Sequence, residues 1–366
     1  MAHHPRIYLD HAATTPVIPA AREAMSEAMA RWANPSSPHS EGRAARAALE
    51  DARARIAAAL GWDGEVILTS GASEAIAIGL RGSEAITSAV EHEAVLAAAG
   101  AARLPVNSDG YVDFDSISKA ERYAVQSVNS ETGIIQPIIE VAAAVRNAGG
   151  TLFADCSQSA GKLPLPDADL IAVSAHKLGG PPGIGALLTR NLGLLSPTGG
   201  QEQGYRRGTE NLPGAIGFAV ALESHIVPEK AEKLRGEMQS SRGSRLRGND
   251  TMVELRTLLE TQINAAGGEI VAAQSNRLAT IGGYRMPGVA ASSQLINFDM
   301  AGIAISAGSA CSSGTLKTSH VLGAMGWTDK PASEVIRVSF GSQTTKAEIE
   351  RFVEVWQSIS SRAKVA

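Results

Sequence analysis

The chain has 366 residues, of which 44% are hydrophobic and 19% charged, and its 33 Lys plus Arg against 37 Asp plus Glu leave a formal net charge of -4. That length suits two domains with a sizeable buried core, and the near-balanced charge creates no field for nucleic acid or an anionic membrane surface. No apolar run reaches the roughly 20 residues of a membrane helix, Met1–Tyr8 lacks the apolar stretch of a secretory signal, and two cysteines cannot form a disulfide framework, which points to a reducing cytoplasm.

In chain order, Asn34-Pro-Ser-Ser-Pro38 breaks between two Ala-rich helices, the second running over Arg43–Leu60. Glu65–Thr69 reads as a strand and Ser73–Leu80 as the helix after it. Ala85–Ser88, Tyr123–Val128, Thr151–Asp155, Leu170–Ser174 and Gly185–Leu188 are further short strands, with a helix over Ile138–Ala148. This alternation predicts an α/β fold: a mainly parallel sheet covered by helices, with ligands beyond the carboxyl ends of its strands. Pro228 to about Thr261 reads as a polar helical bridge, interrupted by a solvated loop or insertion at Ser240–Asp250. The three arginines of that loop are weak support for an RNA patch in an acidic protein. Glu269–Val271, Gln294–Phe298 and Val335–Phe340 read as strands and Thr345–Ser360 as a closing helix, which together predict a smaller α+β domain.

Chemistry collects just after the strands. Ser174-Ala-His-Lys177 leaves an apolar strand into the nearly charge-free loop Leu178–Gly183. Desolvation there disfavours the ammonium and supplies the neutral amine a Schiff base needs, although a lone lysine would be read as a surface residue. Asp155-Cys-Ser-Gln158 ends another strand. Its carboxylate suits either a protonated pyridine nitrogen or a helix N-cap. Thr69-Ser-Gly-Ala-Ser-Glu74 is a strand, a small-residue turn and a helix start, with backbone N–H groups and the Ser73 hydroxyl available to an anion. His92, in Val90-Glu-His-Glu-Ala94, can stack on a ring and move protons, or simply be structural. Cys156 sits in an apolar run and reads as a small buried hydrophobe. Cys311, in Ser306-Ala-Gly-Ser-Ala-Cys-Ser-Ser-Gly314, has almost nothing to be buried against and reads as a reactive thiol on a mobile polar segment.

The ordered set Ser-Gly-Ala-Ser-Glu, Val-Glu-His, Asp-x-x-Gln and Ser-x-His-Lys resembles the class V aminotransferase superfamily. Leu9-Asp-His-Ala-Ala-Thr-Thr15, Asn34-Pro-Ser-Ser, Gly199-Gly-Gln-Glu and Arg206-Arg-Gly-Thr-Glu-Asn211 bring the resemblance closer to its cysteine desulfurase branch, and the Cys311 motif to that branch's first group, which includes the iron–sulfur and nitrogenase-associated enzymes. The resemblance implies a fold type I pyridoxal 5'-phosphate enzyme with a seven-stranded sheet, a large domain over 13–250 and a small domain from 1–12 and 251–366 that carries Cys311. It implies Lys177 as the Schiff-base lysine, Asp155 on the pyridine nitrogen, Gln158 near the ring hydroxyl, and Ala72, Ser73, Ser174 and His176 on the phosphate. Ser130 stands where the family carries an Asn near that hydroxyl. Thr209 is implied to reach the phosphate of the other subunit in a homodimer, His92 to stack on the ring, and Asn34 and Arg337 to hold the substrate carboxylate. The implied reaction converts L-cysteine to L-alanine with a Cys311 persulfide, passed to a sulfur-acceptor protein such as an iron–sulfur scaffold or toward tRNA thiolation. No metal, membrane or nucleic-acid partner is implied. Competing readings are a selenocysteine lyase, another class V aminotransferase, and a non-catalytic scaffold, which would have no need of Lys177, Asp155 and Cys311 together.

Overall fold

Five-residue apolar runs make the centre of the molecule. In the computed structural model, which describes residues 6–31, 33–225, 246–308 and 318–365, they form a seven-stranded sheet. Its strands are β2 (Glu65–Thr69), β3 (Ile86–Ser88), β4 (Arg103–Leu104), β5 (Arg122–Gln126), β6 (Thr151–Asp155), β7 (Leu170–Ser174) and β8 (Gly185–Thr189), in the order β2-β8-β7-β6-β5-β3-β4. β8 runs antiparallel to both of its neighbours, and the remaining pairs are parallel.

Side chains alternate strictly between the two faces, as a two-residue period requires. Val66, Leu68, Val125, Leu152, Ala154, Ile171 and Val173 join one core. That core is closed by α1 (Pro19–Ala30), α2 (Ser40–Leu60), α5 (Ile138–Asn147) and α6 (Leu212–Glu223). Their sequence neighbours Ile67, Ala124, Phe153, Leu170 and Ala172 join the opposite core, beneath α3 (Ala72–Gly79) and α4 (Glu93–Ala98). A sheet covered on both faces explains why these strands read as continuous apolar runs.

The rest of the described chain forms two smaller sheets. β1 (Ile7–Tyr8) pairs in parallel with β11 (Ile303–Ala304), while β9 (Glu269–Ile270), β10 (Ile281–Arg285) and β12 (Val335–Ser339) form an antiparallel sheet in the order β12-β10-β9. Around them lie α7 (Leu246–Ala265), α8 (Ala291–Met300), the short α9 (His320–Ala324) and α10 (Asp329–Ala332), and α11 (Lys346–Val365). Their core centres on Phe298, Phe352 and Trp356, with Phe298 and Phe352 stacked at 4.6 Å between centroids and 6° between planes.

Two expectations are corrected. Gln294–Phe298 is helical, within α8, and not a strand. The buried residues there are Ala291, Gln294 and Phe298, spaced by three and four, and the Gln294 amide donates to the carbonyls of Val289 and Glu334. Five residues read alone could not reveal that period. The loop expected over Ser240–Asp250 is already helix from Leu246 onward, and its earlier part lies outside the described residues. β10 was absent from the expected strands because Gly282-Gly283 reads as a breaker. Close packing requires small residues there: a Cβ at Gly282 would fall 2.3 Å from the Tyr284 hydroxyl oxygen. Among the described residues no helix is long and apolar enough to cross a membrane.

Candidate active site

β6 and β7 are parallel neighbours, with Asp155 opposite Ala172. Asp155 therefore ends β6 beside the exit of β7, and β7 passes through buried Ser174 into the 3-10 turn Ala175–Lys177. Both side chains emerge at the carboxyl edge of the sheet, where ligands of such folds bind. Residues from the chain start cross this edge. The Lys177 amine donates to the carbonyls of Ala12 at 2.6 Å and Ala13 at 3.0 Å, and Gln158 Nε2 donates to the same Ala12 carbonyl at 2.8 Å. Thr15 N donates to the His176 carbonyl at 2.8 Å, and Thr15 Oγ1 to the Lys177 carbonyl at 3.2 Å. The segment Leu9–Thr15 thus fastens the turn that presents the lysine.

The carboxylate of Asp155, 8% exposed, is oriented by Ser157, whose N and Oγ both donate to Oδ1 at 2.9 and 2.5 Å. The Gln158 amide is fixed in orientation, because Ala12 offers only an acceptor, and its Oε1 is left buried with no hydrogen-bond partner. An orphaned buried acceptor costs about 1–3 kcal/mol and suits the hydroxyl of a bound ring. Across the sheet edge, β2 turns into α3 through Gly71, at φ +148, a backbone conformation open to glycine. A Cβ placed on Gly71 would meet nothing within 4 Å, so the approach to the α3 N-terminus is open. Ala72 and the exposed Ser73 begin that helix, whose free N–H groups and dipole favour an anion.

The electrostatics agree with an anionic ligand. Burial and Lys177 push His176 down to about 4, burial and Lys177 push the Lys162 ammonium down to about 8, and burial and Lys162 push His11 down to about 4. A group of bases held this close resists further positive charge and favours a negative partner. The Asp155 carboxylate, the strand-end amine, the orphaned amide oxygen and the helix N-terminus together fit a phosphorylated pyridine aldehyde. Ser174 is buried within the same edge, and His176 Nδ1 lies 3.2 Å from Thr14 Oγ1.

His92 is exposed and caps α4, its Nδ1 accepting from the Ala94 N–H at 3.1 Å. A neutral ring in that arrangement carries its proton on Nε2. The residue before it, Glu91 of the Val-Glu-His motif, is fully buried. Its Oε1 accepts from Ser88 Oγ at 2.5 Å and from Gln126 N at 2.8 Å, while Oε2 is buried without a partner. Burial pushes this carboxyl up to about 8, and nearby Asp155 pushes it the same way.

A second cluster lies where β12 meets the chain start. Arg337, 9% exposed, donates from Nη2 to Asp10 Oδ1 at 2.8 Å and from Nη1 to the Ser130 carbonyl at 3.1 Å, with Nε buried and unpartnered. Asp10 stands two residues before Ala12, so the same segment ties this cluster to the Lys177 edge. Two other expected residues are not joined to these clusters within the described chain. Asn34 is exposed and accepts the Ser36 N–H in a local turn, and Thr209 is exposed on the loop that Arg206 ties to Glu74 of α3. Cys311 lies outside the described residues. Sequence reasoning missed Lys162 and the Asp10 pairing as well as Glu91. Glu91 stands inside the Val-Glu-His motif without a role of its own, and the Gln126 and Arg337 partners of Glu91 and Asp10 are distant in the chain.

The aminotransferase class-V family model matches residues 7–352. The chain is 33% identical to the cysteine desulfurase IscS of Dictyoglomus turgidum, over 98% of this chain and 95% of that protein. Among solved structures it resembles the NifS-like protein of Rickettsia africae, with a TM-score of 0.85 and 28% identity over 97% of this chain and 99% of that one. It also resembles SspA in complex with cysteine, with a TM-score of 0.75 and 27% identity over 93% of this chain and 100% of that one. The chain belongs to the class-V aminotransferase family, among the cysteine desulfurases.

Proposed function

We propose that this protein is a pyridoxal-phosphate-dependent cysteine desulfurase, which converts L-cysteine to L-alanine and holds the sulfur as a persulfide on Cys311 for transfer to an acceptor protein. The observation that carries the reading is the pair of Asp155 and Lys177 at the carboxyl ends of adjacent parallel strands, with Lys177 and Gln158 both donating to the Ala12 carbonyl. The cysteine complex of a structural relative supports the substrate.

When bound, pyridoxal phosphate supplies an electron-withdrawing ring that spreads the charge developed at the substrate α-carbon. In this reading Lys177 tethers the cofactor as a Schiff base, and the Asp155 carboxylate, steadied by Ser157, holds a proton on the ring nitrogen. Gln158 and Ser130 meet the ring hydroxyl, Ser130 with a shorter reach than the Asn of the family. Ala72, Ser73, Ser174 and His176 hold the phosphate, joined by Thr209 from a second copy of the chain in a homodimer. His92 stacks on the ring. Arg337 and Asn34 hold the substrate carboxylate, the guanidinium fork fixing its plane. Released from the tether, the Lys177 amine removes the α-proton. Cys311 Sγ then attacks the substrate sulfur: an S–S bond forms, the Cβ–S bond breaks with its electron pair left on carbon, and protonation of Cβ together with return of the α-proton from the Lys177 ammonium gives alanine. A free thiol has a pKa of about 8.5, so the thiolate is supplied by proton transfer to His92, whose Nδ1 gives up its bond from the Ala94 N–H to accept it. The proposed organisation is a large domain over 13–250 and a small one from 1–12 and 251–366, in the cytoplasm.

The test incubates purified holoenzyme with L-cysteine and quantifies alanine, sulfide and persulfide, for wild type and Cys311→Ser. The expected result is stoichiometric alanine and a Cys311 persulfide in the wild type, and in the variant an unchanged cofactor band with no sulfide release. Continued turnover of the variant refutes the nucleophile. A keto acid in place of alanine would instead identify an aminotransferase, and turnover confined to selenocysteine a lyase.

A further inference from the structure

The positive end of α3 already holds a carboxylate. A helix N-terminus carries roughly half a positive charge, and Glu74, the third residue of α3, folds back over it to accept from Ser70 N, just before the Gly71 cap. Burial raises the Glu74 carboxyl, but the bonds from Ser70 and Arg206 outweigh burial and hold it below its ordinary value, so it is ionised at neutral pH. A full negative charge there would cancel the attraction of the helix end for an anion. Arg206 balances it. Its Nε donates to both Glu74 oxygens at 3.1 Å, and the Arg206 and Glu74 side chains are 18% and 29% exposed, so solvent screens the pair only in part.

The loop that presents Arg206 is pinned to the strand that feeds the helix. Buried Glu202 accepts from Arg53 Nη1 and Nη2 at 2.6 and 3.0 Å and from Leu68 N of β2 at 2.8 Å, while Arg53 Nη1 also donates to the Val66 carbonyl at 2.6 Å. Glu202 and Gln203 take φ 50 and 56, left-handed backbone that residues other than glycine seldom adopt. Such a conformation persists only where its surroundings over-determine it. Arg206 and Gln201 exchange backbone bonds at 3.2 Å, and Gly199 packs so closely that a Cβ there would collide with the Arg206 carbonyl. Both partners of the ion pair thus hang from β2, Glu74 through Ser70 and Arg206 through Glu202.

We propose that Arg206 is a positioning residue for the cofactor phosphate: it acts through Glu74, cancelling that carboxylate so that the N-terminus of α3 stays free to receive an anion. The proposal rests on the preceding reading, in which Ala72 and Ser73 receive the phosphate.

The test titrates apoenzyme with pyridoxal 5'-phosphate and with pyridoxal, which has the ring and aldehyde but no phosphate, and follows the visible band of the Lys177 Schiff base. The ratio of the two dissociation constants isolates the phosphate. In Arg206→Gln the preference for the phosphate ester is expected to fall about tenfold, a charge effect of the size found at partly buried helix ends, with pyridoxal binding unchanged. In Glu74→Gln, whose amide oxygen still accepts from Ser70 N, the preference should equal or exceed that of the wild type. The double variant has neither charge and should return to the wild-type preference. An arginine that only holds the loop, or one that grips the phosphate itself, would leave the double variant as weak as Arg206→Gln, and that result overturns the proposal. A wild-type preference in Arg206→Gln overturns it equally. Glu74→Gln keeps the test open should Arg206→Gln fold poorly: a fall in its preference would mean that the carboxylate helps the anion, contrary to the proposal. If the wild type binds pyridoxal as tightly as the phosphate ester, the phosphate-site reading itself has failed, and the proposal falls with it.

Discussion

Replacing Glu91 with Gln tests how strictly the floor of the site is closed to water. The carboxyl is fully buried, one oxygen is occupied by Ser88 and Gln126, and the other has no partner. Burial raises its pKa from 4.5 to about 8, so the folded protein holds this proton across a range in which the unfolded chain releases it. The stability linked to the group is fully present below about pH 4.5, declines as the pH rises, and is gone above about pH 8. Each pH unit between those two values corresponds to about 1.4 kcal/mol, which makes the loss on the order of a few kcal/mol. A glutamine carbonyl can accept the same two hydrogen bonds and does not titrate. Glu91→Gln should therefore match or fall slightly below the wild type near pH 5 and exceed it by a few kcal/mol at pH 8.5. For a chain of this length about 1 kcal/mol moves Tm by roughly 1–2 °C, so the Tm difference between the proteins should swing by several degrees. The assay is thermal unfolding of both holoenzymes from pH 5 to pH 9. A Tm difference that stays constant with pH would mean that Glu91 ionises freely in the folded state, and the argument for a dry floor would fail.

Asp155→Asn should retain the bound cofactor but lower the rate of alanine formation at least about 100-fold, because a neutral amide cannot hold the ring proton; the visible band and kcat measured on one preparation check this. Phe352→Ala should cost about 3–5 kcal/mol, seen as a fall in Tm, because Phe352 is fully buried and stacked on Phe298.

The large sheet was legible because each central strand is an apolar run ended by a polar or small residue. Thr151–Asp155 and Leu170–Ser174 form strands with the expected bounds, and the residues just past them are the ones that meet at the sheet edge. The smaller sheets were harder to read. β10 contains Gly282-Gly283 for steric reasons that appear only once Tyr284 and Val271 are in place, and the period of α8 extends past the five residues first read as a strand. The site was legible in its motif residues, less so in what orients them. Asp10 and Arg337 lie 327 residues apart, and no local pattern announces such a pair. Lys162 and Glu91 stand out through enclosure, which is a tertiary property.

The central claim is that the Lys177 amine carries the cofactor. Borohydride reduction of the holoenzyme, followed by peptide mapping, tests it most directly. The account predicts one phosphopyridoxyl label per chain, on the peptide containing Lys177, and none in Lys177→Ala. Label on Lys162, its electrostatic neighbour, or a preparation that takes up no label, would contradict it.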